Sequence, residues 1–274
     1  HRAGFKLLFC QRSDGRRCTG KTEFLIFTDR KRKEEMMIDS YIAIDLETTG
    51  LEAKLEKITE IAALKVIQGV ITDRLVTLVN PKRKLEERIT ELTGITDEML
   101  ADAPDIGDII EAVIDFCGDL PLLGHHIIFD YGFLKRAAVN SRLIFEKEGI
   151  DTLALCRLFM LGDAKRNLSS ACAFYEIPLS AAHRAESDAE ASHQLYQKLK
   201  GLHSGDKPEL FAAKPLIYKA KRQQPATKRQ KEVLRELLKY HKISVTVQID
   251  HLSRNEISRL TDKIILQYGR MSKR

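Results

Sequence analysis

Three short stretches of this 274-residue chain carry side chains that could do chemistry together. Asp45 and Glu47 stand two apart and run into Thr48-Thr49-Gly50; His125-His126-Ile127-Ile128-Phe129-Asp130 follows, and then His183-Arg184-Ala185-Glu186-Ser187-Asp188. Carboxylates on separate segments are the oxygen donors that hard divalent cations take. A pair of such cations can clamp both the attacking and the leaving oxygen of a phosphodiester. An imidazole, with an unperturbed pKa of about 6.5, can accept a proton from an attacking water near neutrality. Taken singly, each residue has a plainer reading: an acidic turn, a first-turn helix acid, an exposed loop histidine, a surface helix acid. Only the set points to phosphodiester hydrolysis.

The elements around these residues have to bring them together. Tyr41-Ile-Ala-Ile-Asp45 is a short apolar run ending in an acid, so it predicts a strand whose alternate side chains, Asp45 and Glu47, share a face. The Thr48-Thr49-Gly50 turn offers backbone to a nucleotide at little steric cost. A second apolar run covers Ile58 to Gln68 and a third Leu75 to Val79, which read as a meander with tight connections. Thr96 should cap a helix through Leu100 and Asp105 a longer one through Phe116. Leu120 to Gly124 then reads as a strand and Phe129 to Val139 as a helix. That places Asp130 in a first turn, where the helix dipole favours its charge. Further helices are predicted over Thr152 to Met160, Leu168 to Tyr175 and Ala185 to Leu199.

Within this frame His183 lies on the loop entering the last helix, free to swing over a metal, whereas Asp188 is held in the helix itself. His125, at a strand end, reads as a packed core histidine with no catalytic step, and Glu186 and Glu190 as solvated helix charges. Leu51 and Phe129 neighbour the motifs and are candidates for stacking or wedging against a base, with ordinary core packing as the alternative. The order of elements implies an α/β fold with a mixed sheet covered by helices.

From about Tyr41 to Leu199 the sequence resembles the DnaQ-like (DEDDh) 3′→5′ exonucleases, the family of proofreading subunits and domains of bacterial DNA polymerase III. The likeness includes the spacer Leu92-Thr-Gly-Ile-Thr-Asp-Glu-Met-Leu100 as well as the three motifs. It implies a ribonuclease-H-like layout and two divalent ions, Mg²⁺ with Mn²⁺ as the alternative, held by Asp45, Glu47, Asp130 and Asp188. It also implies His183 as the fifth catalytic residue, acting as general base. Thr48, Thr49, Gly50, Leu51 and Phe129 are then the substrate-contacting residues. At His126 the chain departs from a family that commonly has Asn there, which alters local hydrogen bonding. The expected activity is release of nucleoside monophosphates from 3′ ends of single-stranded DNA, with a DNA polymerase as a candidate partner. The alternatives are an RNA exonuclease on the same fold and a nucleic-acid-binding module with a decayed nuclease site.

Charge is segregated. Residues 1–36 carry ten Lys/Arg against five Asp/Glu, residues 37–200 carry 18 against 27, and residues 201–274 carry 17 against seven, within a net charge of +6. An acidic middle between basic ends suits an enzyme that cleaves a polyanion, although terminal Lys and Arg also simply favour solubility. Cys10, Cys18, Cys117, Cys156 and Cys172 are odd in number and show no C-x-x-C spacing, which argues against a disulfide framework or a zinc site and for a reducing, cytoplasmic setting. No stretch approaches the length of a membrane span.

Residues 1–36 read as a leader, disordered or not part of the fold, with a basic nucleic-acid-binding arm as the alternative. The exonuclease domain is expected over 37–203 and a Pro-, Gly- and Lys-containing basic linker over 204–226. Residues 227–274 read as a small helical module. There Thr227-Lys-Arg-Gln230 and Ser253-Arg-Asn-Glu256 have capping-box spacing ahead of amphipathic runs whose apolar faces could pack on each other or on a partner.

Overall fold

The computed structural model describes residues 38–179, 183–245 and 247–271; the expected leader, with Cys10 and Cys18, lies outside them. Its centre is a six-stranded mixed sheet in the order β3-β2-β1-β4-β5-β6. The strands are β1 (Tyr41–Thr48), β2 (Ile58–Ile67), β3 (Val70–Leu78), β4 (Leu122–Gly124), β5 (Glu148–Asp151) and β6 (Lys214–Pro215). The first three form an antiparallel meander, β1, β4 and β5 run parallel, and β6 closes the far edge antiparallel.

The first seven residues of β2 are all buried, because helices cover both sheet faces there. Alternation along β1 divides the core. Tyr41 and Ala43 face α7 (Ala185–His203) in one apolar cluster, while Ile42, Ile44 and Leu46 face α3 (Ile106–Cys117) and α4 (Ile128–Asn140) in the other. Also present are α1 (Glu87–Thr93), α2 (Asp97–Leu100), α5 (Thr152–Phe159) and α6 (Leu168–Phe174). Among the described residues no helix is long and apolar enough to cross a membrane. Cys117, Cys156 and Cys172 are buried free thiols.

Three local expectations change. The hairpin between β2 and β3 turns at Gln68 and Gly69, both with positive φ (51° and 78°), so β3 starts at Val70 rather than Leu75. Such a two-residue turn matches the twist of its strands, which is why pairing resumes at once. The link from β1 to β2, by contrast, is not tight: it is the loop 49–57, which follows directly on Asp45 and Glu47 of β1. Asp105 sits at the N-cap of α3 without a side-chain cap bond and pairs with Lys82 instead, whereas Thr96 does accept the Met99 N–H. Helix α1 and strand β5 were not anticipated; β5 has only Gly149-Ile150 between two charged residues, too short to show a period.

Residues 204–226 lie against the sheet. Phe211 is fully buried in the α7-side core, Lys214–Pro215 pairs with β5, and Tyr218 covers Gly132 so closely that a Cβ there would meet it at 3.0 Å. Beyond them α8 (Lys228–His241) and α9 (Arg254–Tyr268) each carry a complete capping box. Leu234, Leu237, Leu238, Ile257 and Ile264 form their shared core.

Candidate active site

The motifs meet at the carboxyl ends of parallel strands β1 and β4, the position where open α/β sheets commonly bind ligands. Asp45 and Glu47 lie on the α7 side of β1, and Asp188, in the first turn of α7, faces them. The pairing register of β1 with β2 shifts between Glu47 and Thr48, and such an irregularity re-aims side chains at the end of a strand. Glu47, His183 and Asp188 each offer a ligand atom, and these atoms lie within 4.8 Å of one another.

Asp130 arrives from the opposite helical layer. It is 3% exposed and its Oδ1 accepts the Leu46 N–H at 3.1 Å, so its carboxylate is fixed against the backbone of β1. Asp45 and Asp130 are outside the 4.8 Å group but within its electrostatic reach. Burial pushes the Asp45 carboxyl well above the usual range, and the charges of Asp130, Asp188, Glu47 and Glu60 push it further. Asp130 is raised mainly by burial. Glu47 is raised by burial and by Asp188 and Glu60, up to about 7. Asp188 is raised by burial, which the His183 N–H at 3.1 Å partly offsets.

Crowded carboxylates that repel one another call for positive charge. Asp188 adds a sharper sign: Oδ2 takes the His183 N–H, while its buried Oδ1 has no hydrogen-bond partner. An orphaned carboxylate oxygen in an all-acid pocket with one imidazole is a donor set that fits a divalent cation. Raised folded-state pKa values mean that the cation-free protein holds protons more tightly than the unfolded chain. The stability this contributes is complete below the unfolded pKa and is lost as pH rises through the folded value. The melting temperature of cation-free protein should therefore fall between about pH 5.5 and 8, less steeply in Glu47→Gln, and Mg²⁺ should restore more of it at the alkaline end. A fall equally steep in Glu47→Gln would show that this carboxylate does not carry it.

His183 has φ of 64°, is exposed, and precedes the N-cap Arg184 of α7. Glu60, which lies outside the three motifs, holds the residues that follow it. Glu60, 2% exposed, accepts from Arg184 Nη2 at 2.6 Å, Arg184 Nε at 3.2 Å and the Ala185 N–H at 3.0 Å. Its signal was available: it is the one acid in the otherwise apolar run Ile58-Thr-Glu-Ile-Ala-Ala-Leu64, and buried acids are rarely unpartnered. Glu56 had no comparable signal. Its Oε2 accepts from Thr49 Oγ1 at 2.6 Å, and a Cβ added at Gly50 would meet Glu56 Cγ at 2.9 Å. The missing side chain at Gly50 thus makes room for the close approach of Glu56 to the turn.

Thr48 Oγ1 donates to Gly50 O at 2.8 Å and closes the turn. Leu51 projects from it 85% exposed, outside any core, while Phe129 is part-buried between His126 and Phe133. His125 is the packed histidine expected, bonded to Thr152 Oγ1 at 3.0 Å and Arg166 O at 2.7 Å, and burial lowers its pKa. At His126 the backbone turns through φ 73° and its N–H reaches Asp151 Oδ1 at 2.9 Å.

Residues 42–196 match the RNase_T family model, described as exonuclease. The chain is 42% identical over 164 residues to the PolC-type DNA polymerase III of Bacillus subtilis and 35% identical over 162 residues to that of Clostridium perfringens. In each case 59% of this chain aligns with 11% of the relative, so the chain spans only a small part of those polymerases. Among solved structures, Escherichia coli exonuclease I in complex with a dT13 oligonucleotide is 19% identical with a TM-score of 0.53, covering 61% of this chain and 42% of that one. The nuclease domain of 3′hExo, a DEDDh family member bound to rAMP, is 20% identical with a TM-score of 0.53, covering 65% and 97%. At these identities the structural likeness establishes the shared ribonuclease-H-like fold.

Proposed function

This chain belongs to the RNase_T exonuclease family, and from that premise we propose that it is a metal-dependent 3′→5′ exonuclease. In this reading it hydrolyses the terminal phosphodiester of single-stranded DNA and releases nucleoside monophosphates in proofreading or repair. The observation that carries the reading is the convergence of Glu47 with His183 and Asp188 from two motifs far apart in the chain, with one Asp188 oxygen buried and unpartnered. Residues 37–203 would form the nuclease domain and 227–274 an accessory module. The likeness to PolC-type polymerases favours DNA as substrate and a polymerase as partner, in the cytoplasm.

Asp45, Glu47, Asp130 and Asp188 would hold two divalent cations, Mg²⁺ with Mn²⁺ as the alternative. When bound, such ions neutralise phosphate charge and make water a better nucleophile. The chain's own groups do the rest. A ring nitrogen of His183 takes the proton from the attacking water. The bond from the His183 backbone to Asp188 ties the position of that base to a metal-holding carboxylate. Glu60 and Arg184 keep the loop from drifting, which matters because an error of about 1 Å can cost on the order of a hundredfold in rate. The Thr48–Gly50 turn and exposed Leu51 would meet the terminal nucleotide.

A digest of 5′-labelled and 3′-labelled DNA and RNA strands of one sequence, in Mg²⁺ and in EDTA, tests the proposal. Mg²⁺-dependent mononucleotides from the 3′ end of DNA are expected. Loss of the 5′ label first, equal digestion in EDTA, or no digestion would each overturn it, and preferential digestion of RNA would reassign the substrate.

A further inference from the structure

The loop that follows the Thr48–Leu51 turn is held by Arg83 and by a helix outside the family-matched residues. Leu55, Glu56 and Lys57 are each gripped in turn: Arg83 Nη2 donates to Leu55 O at 2.9 Å, Arg83 Nη1 pairs with Glu56 Oε2 at 3.3 Å, and Lys57 Nζ pairs with Glu256 Oε1 at 2.9 Å. Arg83 also reaches Glu256 Oε1 at 3.5 Å. Glu56 and Lys57 are the residues that bond Thr49, through its hydroxyl at 2.6 Å and 3.0 Å. A continuous polar path therefore runs from Thr49 to Glu256, across the junction between the sheet domain and the two-helix module.

Glu256 divides its carboxylate between two tasks. Oε2 accepts the Ser253 N–H at 2.8 Å and the Ser253 hydroxyl at 2.6 Å, completing the capping box of α9, while Oε1 faces Lys57 and Arg83. Its side chain is 9% exposed and those of Arg83 and Lys57 are 19% and 29% exposed, so the pairs are shielded enough to be stronger than surface ion pairs. Backbone contacts lie beside these pairs: Arg83 bridges Val247, and the Arg254 N–H reaches Gln224 O at 2.9 Å.

We propose that Glu256 is a positioning residue for substrate binding, holding the 50–57 loop so that Thr49 and Leu51 stand ready at the 3′ end. The proposal rests on the reading of the Thr48–Leu51 turn as a substrate contact. Removing the grip loosens the turn, so the substrate must order it on binding: KM rises and kcat stays.

The variants separate the two oxygens. E256Q keeps a capping-box side chain but loses the charge shared with Lys57 and Arg83. R83M removes the Arg83–Glu256 pair together with the bonds of Arg83 to Leu55 and Glu56, and leaves the Lys57–Glu256 pair. S253A breaks the cap and leaves the link. In the 274-residue chain, E256Q and R83M should each raise KM for a single-stranded oligonucleotide about three- to tenfold with kcat within about twofold, and the double variant should raise it further, because Lys57–Glu256 and Arg83–Leu55 hold the loop by separate bonds. Backbone hydrogen exchange over 48–57 should speed up in both and remain at the wild-type rate in S253A. Unchanged exchange and KM in E256Q, or an equal effect in S253A, would overturn the proposal. An inactive wild type would instead defeat the nuclease reading, and the exchange measurement would still decide the role of Glu256.

Discussion

Replacing Asp188 with Asn is expected to lower mononucleotide release about a thousandfold, equivalent to about 4 kcal/mol of transition-state stabilisation, while raising the melting temperature of the cation-free protein. The two effects share one cause. An Asn carbonyl can keep the His183 N–H that Asp188 Oδ2 now accepts, so the loop entering α7 stays in place. What disappears is a negative charge that burial already disfavours and that raises the pKa of both Asp45 and Glu47. Folding gains from that loss and chemistry suffers, because the buried Oδ1, which no hydrogen bond occupies, loses the charge that would draw a cation. Stability and activity moving in opposite directions is the expected signature of a site built for function. Parallel measurement of kcat and of thermal unfolding checks both parts. Activity within about tenfold of wild type would remove Asp188 from the ligand set.

His183→Asn should reduce kcat by on the order of a hundredfold or more, with KM for the oligonucleotide little changed. Asn is the suitable replacement because residue 183 has φ of 64°, a left-handed conformation that Asn tolerates better than most side chains. The backbone bond to Asp188 and the Glu60–Arg184 clasp then survive, and only the imidazole is lost. Steady-state kinetics in saturating Mg²⁺, with oligonucleotide affinity measured separately, would check this. If KM rose while kcat held, His183 would be a substrate contact instead of a proton acceptor. If cation affinity collapsed, the imbalance would mark it as a ligand, a role that the 4.8 Å grouping with Glu47 and Asp188 also permits.

The candidate site was legible because it depends on residue types that are poorly explained otherwise. Asp45 and Glu47 at a strand end, Asp130 in a first turn and Asp188 after a loop histidine can be located from local periodicity alone, since strand alternation and helix entry are short-range properties. The two capping boxes at Thr227 and Ser253 were legible for the same reason and are present in full. The order of strands and helices likewise implied a mixed sheet covered by helices. Weak or mixed local signals failed. Strand β5 has too few apolar residues to show a period and exists because β4 and β6 flank it. The 204–226 stretch reads as linker by composition, yet Phe211 and Tyr218 find buried surface that only the assembled sheet provides.

What the chain order could not contain is which groups face each other over long separations. Glu60 meets Arg184 across 124 positions, Arg83 meets Glu256 across 173, and Asp130 reaches Leu46 across 84. Local sequence determined the candidate groups and the elements bearing them. The tertiary structure alone decided which carboxylates were buried together, which oxygen lacked a partner, and which distant glutamate braces the loop. Those depend on desolvation and like-charge proximity, properties of the packed interior that no neighbour along the chain encodes.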